Sequence, residues 1–324
     1  MLQSYSYKSK EFLWLVIKLS IVIGCGYFIY VKGMQNEQIR FSDFYSKLTE
    51  KHLFLLKSIL FLMIFSLFNW FFEILKWKTL VSFSKKISFK AALIQSLSSL
   101  TASLITPNRI GEYGAKALYF EKPLRNQILV LNLVGNVFQL FVTLFFGLFG
   151  VYFFLNKFKI DIDYNPIFIF LGVTFLISTA IWYLFKKGVS IKGHTLQSLR
   201  NFILKIPQKT TIKIGFLSVL RYLVFSHQFY FLILLFTIEI SYFDAMIGVF
   251  LMYFMASIIP MLSLFDVVIK SSVALWIFSF YNVNEIDILS ISLLMWIFNF
   301  VIPSVFGSYF VLTFNPKEQI NFKE

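Results

Sequence analysis

Residues 102–116 read Ala102-Ser103-Leu104-Ile105-Thr106-Pro107-Asn108-Arg109-Ile110-Gly111-Glu112-Tyr113-Gly114-Ala115-Lys116, a polar knot in the middle of an otherwise apolar region, 91–120. Proline removes a helical donor and glycine loosens the backbone, so this region is predicted to be two half-helices meeting at membrane depth. A second region, 244–281, is interrupted in the same way at Ile259-Pro260-Met261-Leu262-Ser263. At a constant offset of 154, Ala102 matches Ala256, Ser103 matches Ser257, Glu112 matches Asp266 and Lys116 matches Lys270. The two prolines miss that register by one residue.

The rest of the chain explains why such knots stand out. Of 324 residues, 58% are hydrophobic, 14% are charged and 43 are Phe. So few charges do not cover a water-exposed surface, and so much apolar area excludes disorder. The hydrocarbon core is about 30 Å thick and a helix rises about 1.5 Å per residue, so about 20 apolar residues make one crossing. Six segments meet that test, near 12–31, 53–73, 127–155, 166–185, 212–238 and 286–314. The expected fold is an all-α polytopic membrane protein with about six transmembrane helices and two re-entrant hairpins. The first segment, Phe12 to Val31, exceeds a signal-peptide core and lacks a small-x-small cleavage pattern, so it is read as a retained span. Cys25 is the lone cysteine, so no intrachain disulfide forms.

Thirty Lys and Arg face 16 Asp and Glu, a net charge of +14. The basic residues punctuate apolar runs, which speaks for membrane orientation and against nucleic acid. With each hairpin entering and leaving on one side, 18 of them fall on one side, Lys76, Lys78, Lys85 and Lys86 included, and six fall on the other. That assignment places both termini and the basic loop 186–211 in the cytoplasm of a cell-membrane protein. The basic loop suits anionic headgroups. Three crossings separate the hairpins, so they enter from opposite sides. Residues 53–155 and 212–314 then form an inverted repeat, the plan of many secondary transporters.

Within the apolar segments stand Arg109, Glu112, Lys116, Arg221, His227, Asp266 and Lys270. A charge at the bilayer centre costs at least about 2.5–3.5 kcal/mol, so each is expected to face protein or water. Glu112 with Lys116 and Asp266 with Lys270 are i,i+4 pairs with the acid first, which suits structural pairing as well as function. Pairing leaves Arg109 and Arg221 unmatched. Arg109 sits beside half-helix starts, and a planar guanidinium suits bidentate phosphate contact, although both arginines also suit helix-end carbonyls or snorkelling. Asn132, Asn136 and Gln139 recur at i, i+4 and i+7 on one helix face, where they suit a polar path or interhelical hydrogen bonds. Tyr222 and Gln228 are further polar candidates. These residues are candidate binding groups. No catalytic set, metal site or cofactor motif is expected: the histidines, His52, His194 and His227, are far apart, and no phosphate-cradling glycine loop occurs. Asp161-Ile162-Asp163 has the spacing some sugar transferases use for a metal nucleotide, but its predicted side is the outer one.

Pro107-Asn108-Arg109-Ile110-Gly111-Glu112, with Lys116 following, resembles the first hairpin of the lysylphosphatidylglycerol synthase transmembrane-region family, a flippase-like membrane domain also found alone. In the second hairpin, Pro260 and Asp266 are kept without the family's glycine-rich turn. The resemblance implies binding and translocation of a lipid with an anionic or polar headgroup. The alternative is a membrane-embedded lipid-modifying transferase with Glu112 as base, or an accessory subunit presenting lipid to a partner enzyme. The resemblance does not imply aminoacyl transfer, which in fused members belongs to a soluble domain after the spans; here ten residues, Asn315 to Glu324, follow the last span. Nothing in the sequence sets the oligomeric state.

Overall fold

A computed structural model describes residues 55–104, 106, 109–160, 190–191, 194–258 and 266–315, with isolated positions 23, 46 and 49. The spans at 12–31 and 166–185, both prolines of the hairpin tips, the chain termini and Asp161 to Asp163 lie outside the described residues.

Within the described residues, helices form at four of the six apolar runs read from sequence and on either side of the interrupted regions. In chain order they are α1 (Leu56–Val81), α2 (Phe89–Leu104), α3 (Ile110–Leu118), α4 (Arg125–Phe158), α5 (Leu196–Leu204), α6 (Gln208–Leu235), α7 (Tyr242–Ile258), α8 (Asp266–Ser279), α9 (Glu285–Trp296) and α10 (Ile302–Thr313). A π turn, Ile297–Val301, joins α9 to α10, and a 3₁₀ turn, Lys122–Leu124, precedes α4. Two-residue strands, Ser190–Ile191 and His194–Thr195, pair ahead of α5.

Among the described residues, four stretches are long and apolar enough to cross a bilayer: Leu56–Val81, Lys122–Phe158, Gln208–Leu235 and Glu285–Thr313. Their outward faces carry Phe61, Phe68, Phe141, Phe145, Phe306 and Tyr309, all exposed, while Ser66, Asn69, Glu73, Lys76 and Asn132 are buried. A water-soluble bundle sorts its residues the other way. The chain is an all-α multi-pass membrane protein.

α1 and α6 pack antiparallel, with Gln228 donating to the Leu62 carbonyl near one end and Phe83 against Phe202 beyond the other. α2 packs on α10, and α7 packs on α4. α2 and α3 rise from the end of the bundle where α1 finishes and α4 begins, and return to it; Tyr119 meets Phe314 there. α7 and α8 rise from the opposite end, where Asp244 pairs with Lys157 and Tyr281 packs on Phe158. The first interruption predicted from sequence coincides with the gap between α2 and α3, while the second, Ile259 to Ser263, lies outside the described residues. At the first, Gly111 is required: a Cβ there would collide with the Ala102 carbonyl, and its N–H donates to Thr106 Oγ1 at 2.8 Å.

One boundary departs from the sequence reading. The span expected at 53–73 continues as helix to Val81, so Lys76, assigned by sequence to a surface joint, is only 2% exposed.

Candidate functional site

The charged side chains meet where α1, α3, α4 and α6 converge. On α1, Glu73 and Lys76 are spaced i,i+3 and pair at 2.7 Å. α6 delivers Arg221 to the same carboxylate oxygen, also at 2.7 Å. On α3, Glu112 accepts from Lys116 at 2.8 Å, one turn along, and forms an ion pair with Arg109 at 3.2 Å. Arg109 stands just before α3 with φ 56°, a left-handed backbone that turns its side chain back toward its own helix. Each glutamate thus holds one lysine of its own helix and one arginine.

This corrects the reading of Arg109 and Arg221 as unmatched. The counter-ion of Arg221 is Glu73, a residue sequence reasoning passed over because it ended a span there. Lys116 behaves as expected and does more: it also donates to Asn132 Oδ1 at 2.8 Å and lies over the Trp77 ring, 4.4 Å from its centroid.

The three amides of α4 share the face that was read for them, but they divide their work. Asn132 holds Lys116, Asn136 donates to the Tyr113 hydroxyl at 2.9 Å, and the Gln139 oxygen lies 3.5 Å from Arg221. Arg221 Nε donates to Asn69 at 3.0 Å; Asn69 donates to Asn299 at 2.7 Å; Asn299 donates to Gln228 at 2.8 Å. Asn69 and Asn299 were not singled out from sequence. Their signal was available, since each is a lone amide inside an apolar run.

Beside these pairs lies a chamber of about 430 Å³ between the hairpins. Arg109, Arg221 and Lys270 line it, with Asn69, Asn136, Gln139 and Asn299 opposite apolar walls from Phe225, Phe229 and Met252. Lys270 rests over the Phe300 ring at 5.1 Å. A smaller recess of about 20 Å³ opens between Glu73, Ser96, Arg109, Glu112, Lys116 and Arg221. The two share Trp70, Arg109, Asn136 and Arg221 as a common wall. Asp266 begins α8, but its side chain lies outside what is described. His227 is directed elsewhere, to Leu223 O and the Tyr242 hydroxyl, and Tyr222 stacks on Phe146.

Depth follows from helix position. Arg221 is 13 residues from the start of α6, about 20 Å along its axis, and Asn132 is seven residues into α4, about 10 Å. The polar residues therefore run from one end of the bundle to its middle.

No family model matches the chain, and no curated protein matches it in sequence.

Proposed function

We propose that the protein binds a lipid with an anionic or polar headgroup in the chamber between its hairpins and passes the headgroup across the membrane. One observation carries this reading: Arg109, Arg221 and Lys270 face a 430 Å³ space set among the spanning helices. Cationic side chains are costly at such depth, and a headgroup brought to them offsets that cost while its tails stay in the bilayer. Both arginines are partly exposed, 38% and 17%, and both line the chamber, where a guanidinium suits an anionic group.

The helix packing supports an inverted repeat. α2 crosses α10 where Ser304 and Gly307 leave room for it, and α7 crosses α4 where Gly147 and Gly150 do the same. Both small pairs are spaced i,i+3. Leu97, over Gly307, and Leu251, over Gly150, are 154 residues apart, the offset already seen between the hairpins. In such a plan the site sits where the two halves meet. The bundle end bearing Lys78, Lys85, Lys86, Lys122, Arg125, Lys209 and Lys213 is the cytoplasmic one by the positive-inside rule, in keeping with a cytoplasmic-membrane protein whose termini both lie inside. The flippase-like family resemblance in the first hairpin agrees with this role.

The transferase reading, with Glu112 as base, fits less well. Both Glu112 carboxylate oxygens are already engaged, one by Lys116 and the other by Arg109, which leaves neither free to take a proton from a substrate.

The test is reconstitution of the purified chain in liposomes with a fluorescent anionic phospholipid in one leaflet. Acceleration of its appearance in the other leaflet is expected. No acceleration over empty liposomes, or conversion of the lipid to a new product, would overturn the proposal.

A further inference from the structure

The charges around the recess do not cancel. Lys76, Arg109, Lys116 and Arg221 bring four positive charges and Glu73 with Glu112 bring two negative, leaving an excess of two among six side chains joined by ion pairs. Lys76 and Lys116 are each 2% exposed, so bulk water screens them little.

Three donors beside this excess have no hydrogen-bond partner: Ser96 Oγ, which lines the recess, Arg109 Nε and Asn132 Nδ2. Ser96 and Asn132 are each 2% exposed. Buried donors are ordinarily satisfied, and an unmade bond costs about 1–3 kcal/mol. An incoming acceptor group of two negative charges answers both deficits. The recess has room for one oxygen-sized group, with the larger chamber behind it.

Resting on the lipid-binding reading, we infer that the group bound here is a terminal phosphate dianion, as in a phosphomonoester headgroup. A phosphodiester carries one negative charge and leaves one cation uncompensated. A phosphomonoester carries about 1.5 to 2 negative charges at pH 7 and three strong acceptor oxygens. One oxygen enters the recess toward Ser96 while the others take Arg109 and Arg221. Arginine suits this contact because its donors lie in one plane.

The experiment measures binding of four probes to the detergent-purified full chain: phosphatidic acid, phosphatidylglycerol, phosphatidylcholine and inorganic phosphate. Phosphatidic acid is expected to bind at least about tenfold more tightly than phosphatidylglycerol, with phosphatidylcholine weaker still. Lys76→Gln lowers the excess to one while Glu73 keeps Arg221, so the preference for phosphatidic acid over phosphatidylglycerol should fall toward parity. Equal binding of the two anionic lipids by the native chain overturns the dianion inference and leaves the lipid reading standing. Equal binding of all three lipids overturns both. Binding of inorganic phosphate as tightly as phosphatidic acid supports the dianion and overturns the lipid as its source.

Discussion

Arg221 and Glu73 form an ion pair of 2.7 Å across two antiparallel helices, and the same carboxylate oxygen receives Lys76 at 2.7 Å. Glu73 is therefore the hub of its triad. Glu73→Gln leaves the buried Lys76 and the partly exposed Arg221 without a counter-ion and should cost about 3–5 kcal/mol, while Arg221→Gln leaves Glu73 with Lys76 and should cost less, about 1–3 kcal/mol. Thermal unfolding in detergent reads the order. A Glu73→Gln protein more stable than Arg221→Gln would remove Glu73 from this role.

Arg109 is different because its glutamate has a second partner. With Lys116 still on Glu112, Arg109→Ala should lose only about 1 kcal/mol of stability, as expected for a partly exposed pair. Arg109→Lys should fold as well as the native chain yet bind anionic lipid about tenfold less tightly, because a point charge replaces a planar fork. Native lipid transport by Arg109→Lys would refute its phosphate contact.

The helix crossings give a paired prediction. A methyl at Gly307 would run into the Leu97 carbonyl and the Thr101 hydroxyl, and one at Gly147 into Phe254. Gly307→Ala and Gly147→Ala should each destabilise by about 1–3 kcal/mol through overpacking. Gly114 has nothing within 4 Å of an added Cβ, so Gly114→Ala should be neutral or stabilise by about 0.4–1 kcal/mol. Unfolding midpoints of the three variants test whether the two crossings bear on stability alike.

Orientation is open to labelling. In a Cys25→Ser background, a cysteine at position 86 should react only from the cytoplasm and one at position 284 only from outside; both native residues are exposed, at opposite ends of the bundle. Reaction of both from one side would contradict the arrangement of the spans.

Four helices and the first broken region were legible because composition and breakers act locally. Apolar runs placed four spans within a few residues, apart from the C-terminal end of α1, and Thr106 to Gly111 marked the first hairpin tip. Partnership was less legible. Glu112 with Lys116 lies within one helical turn and could be read directly, whereas Glu73 with Arg221 joins distant parts of the chain. Glu73 also looked like the end of a span, since a charge normally closes an apolar run; the helix continues because Lys76 and Arg221 neutralise it inside the protein. Asn69 and Asn299 stand out as lone amides in apolar runs, but their partnership joins distant parts of the chain and could not be read locally.

The π turn at Ile297–Val301 has a consequence for how the last span holds the first. A widened turn disturbs the regular i to i−4 ladder, and here Phe298 O accepts from Ser66 at 2.5 Å and Asn299 O from the Trp70 indole at 3.1 Å. α1 is thus fastened to backbone oxygens as well as to the Asn299 side chain. The turn also sets the angular phase of everything after it. Deleting one residue within 297–301 would rotate α10 by about 100°, swinging Ser304 and Gly307 away from α2 and filling that crossing with bulk. The register of this one irregular turn therefore couples the amide chain around Asn299 to the seating of the first hairpin.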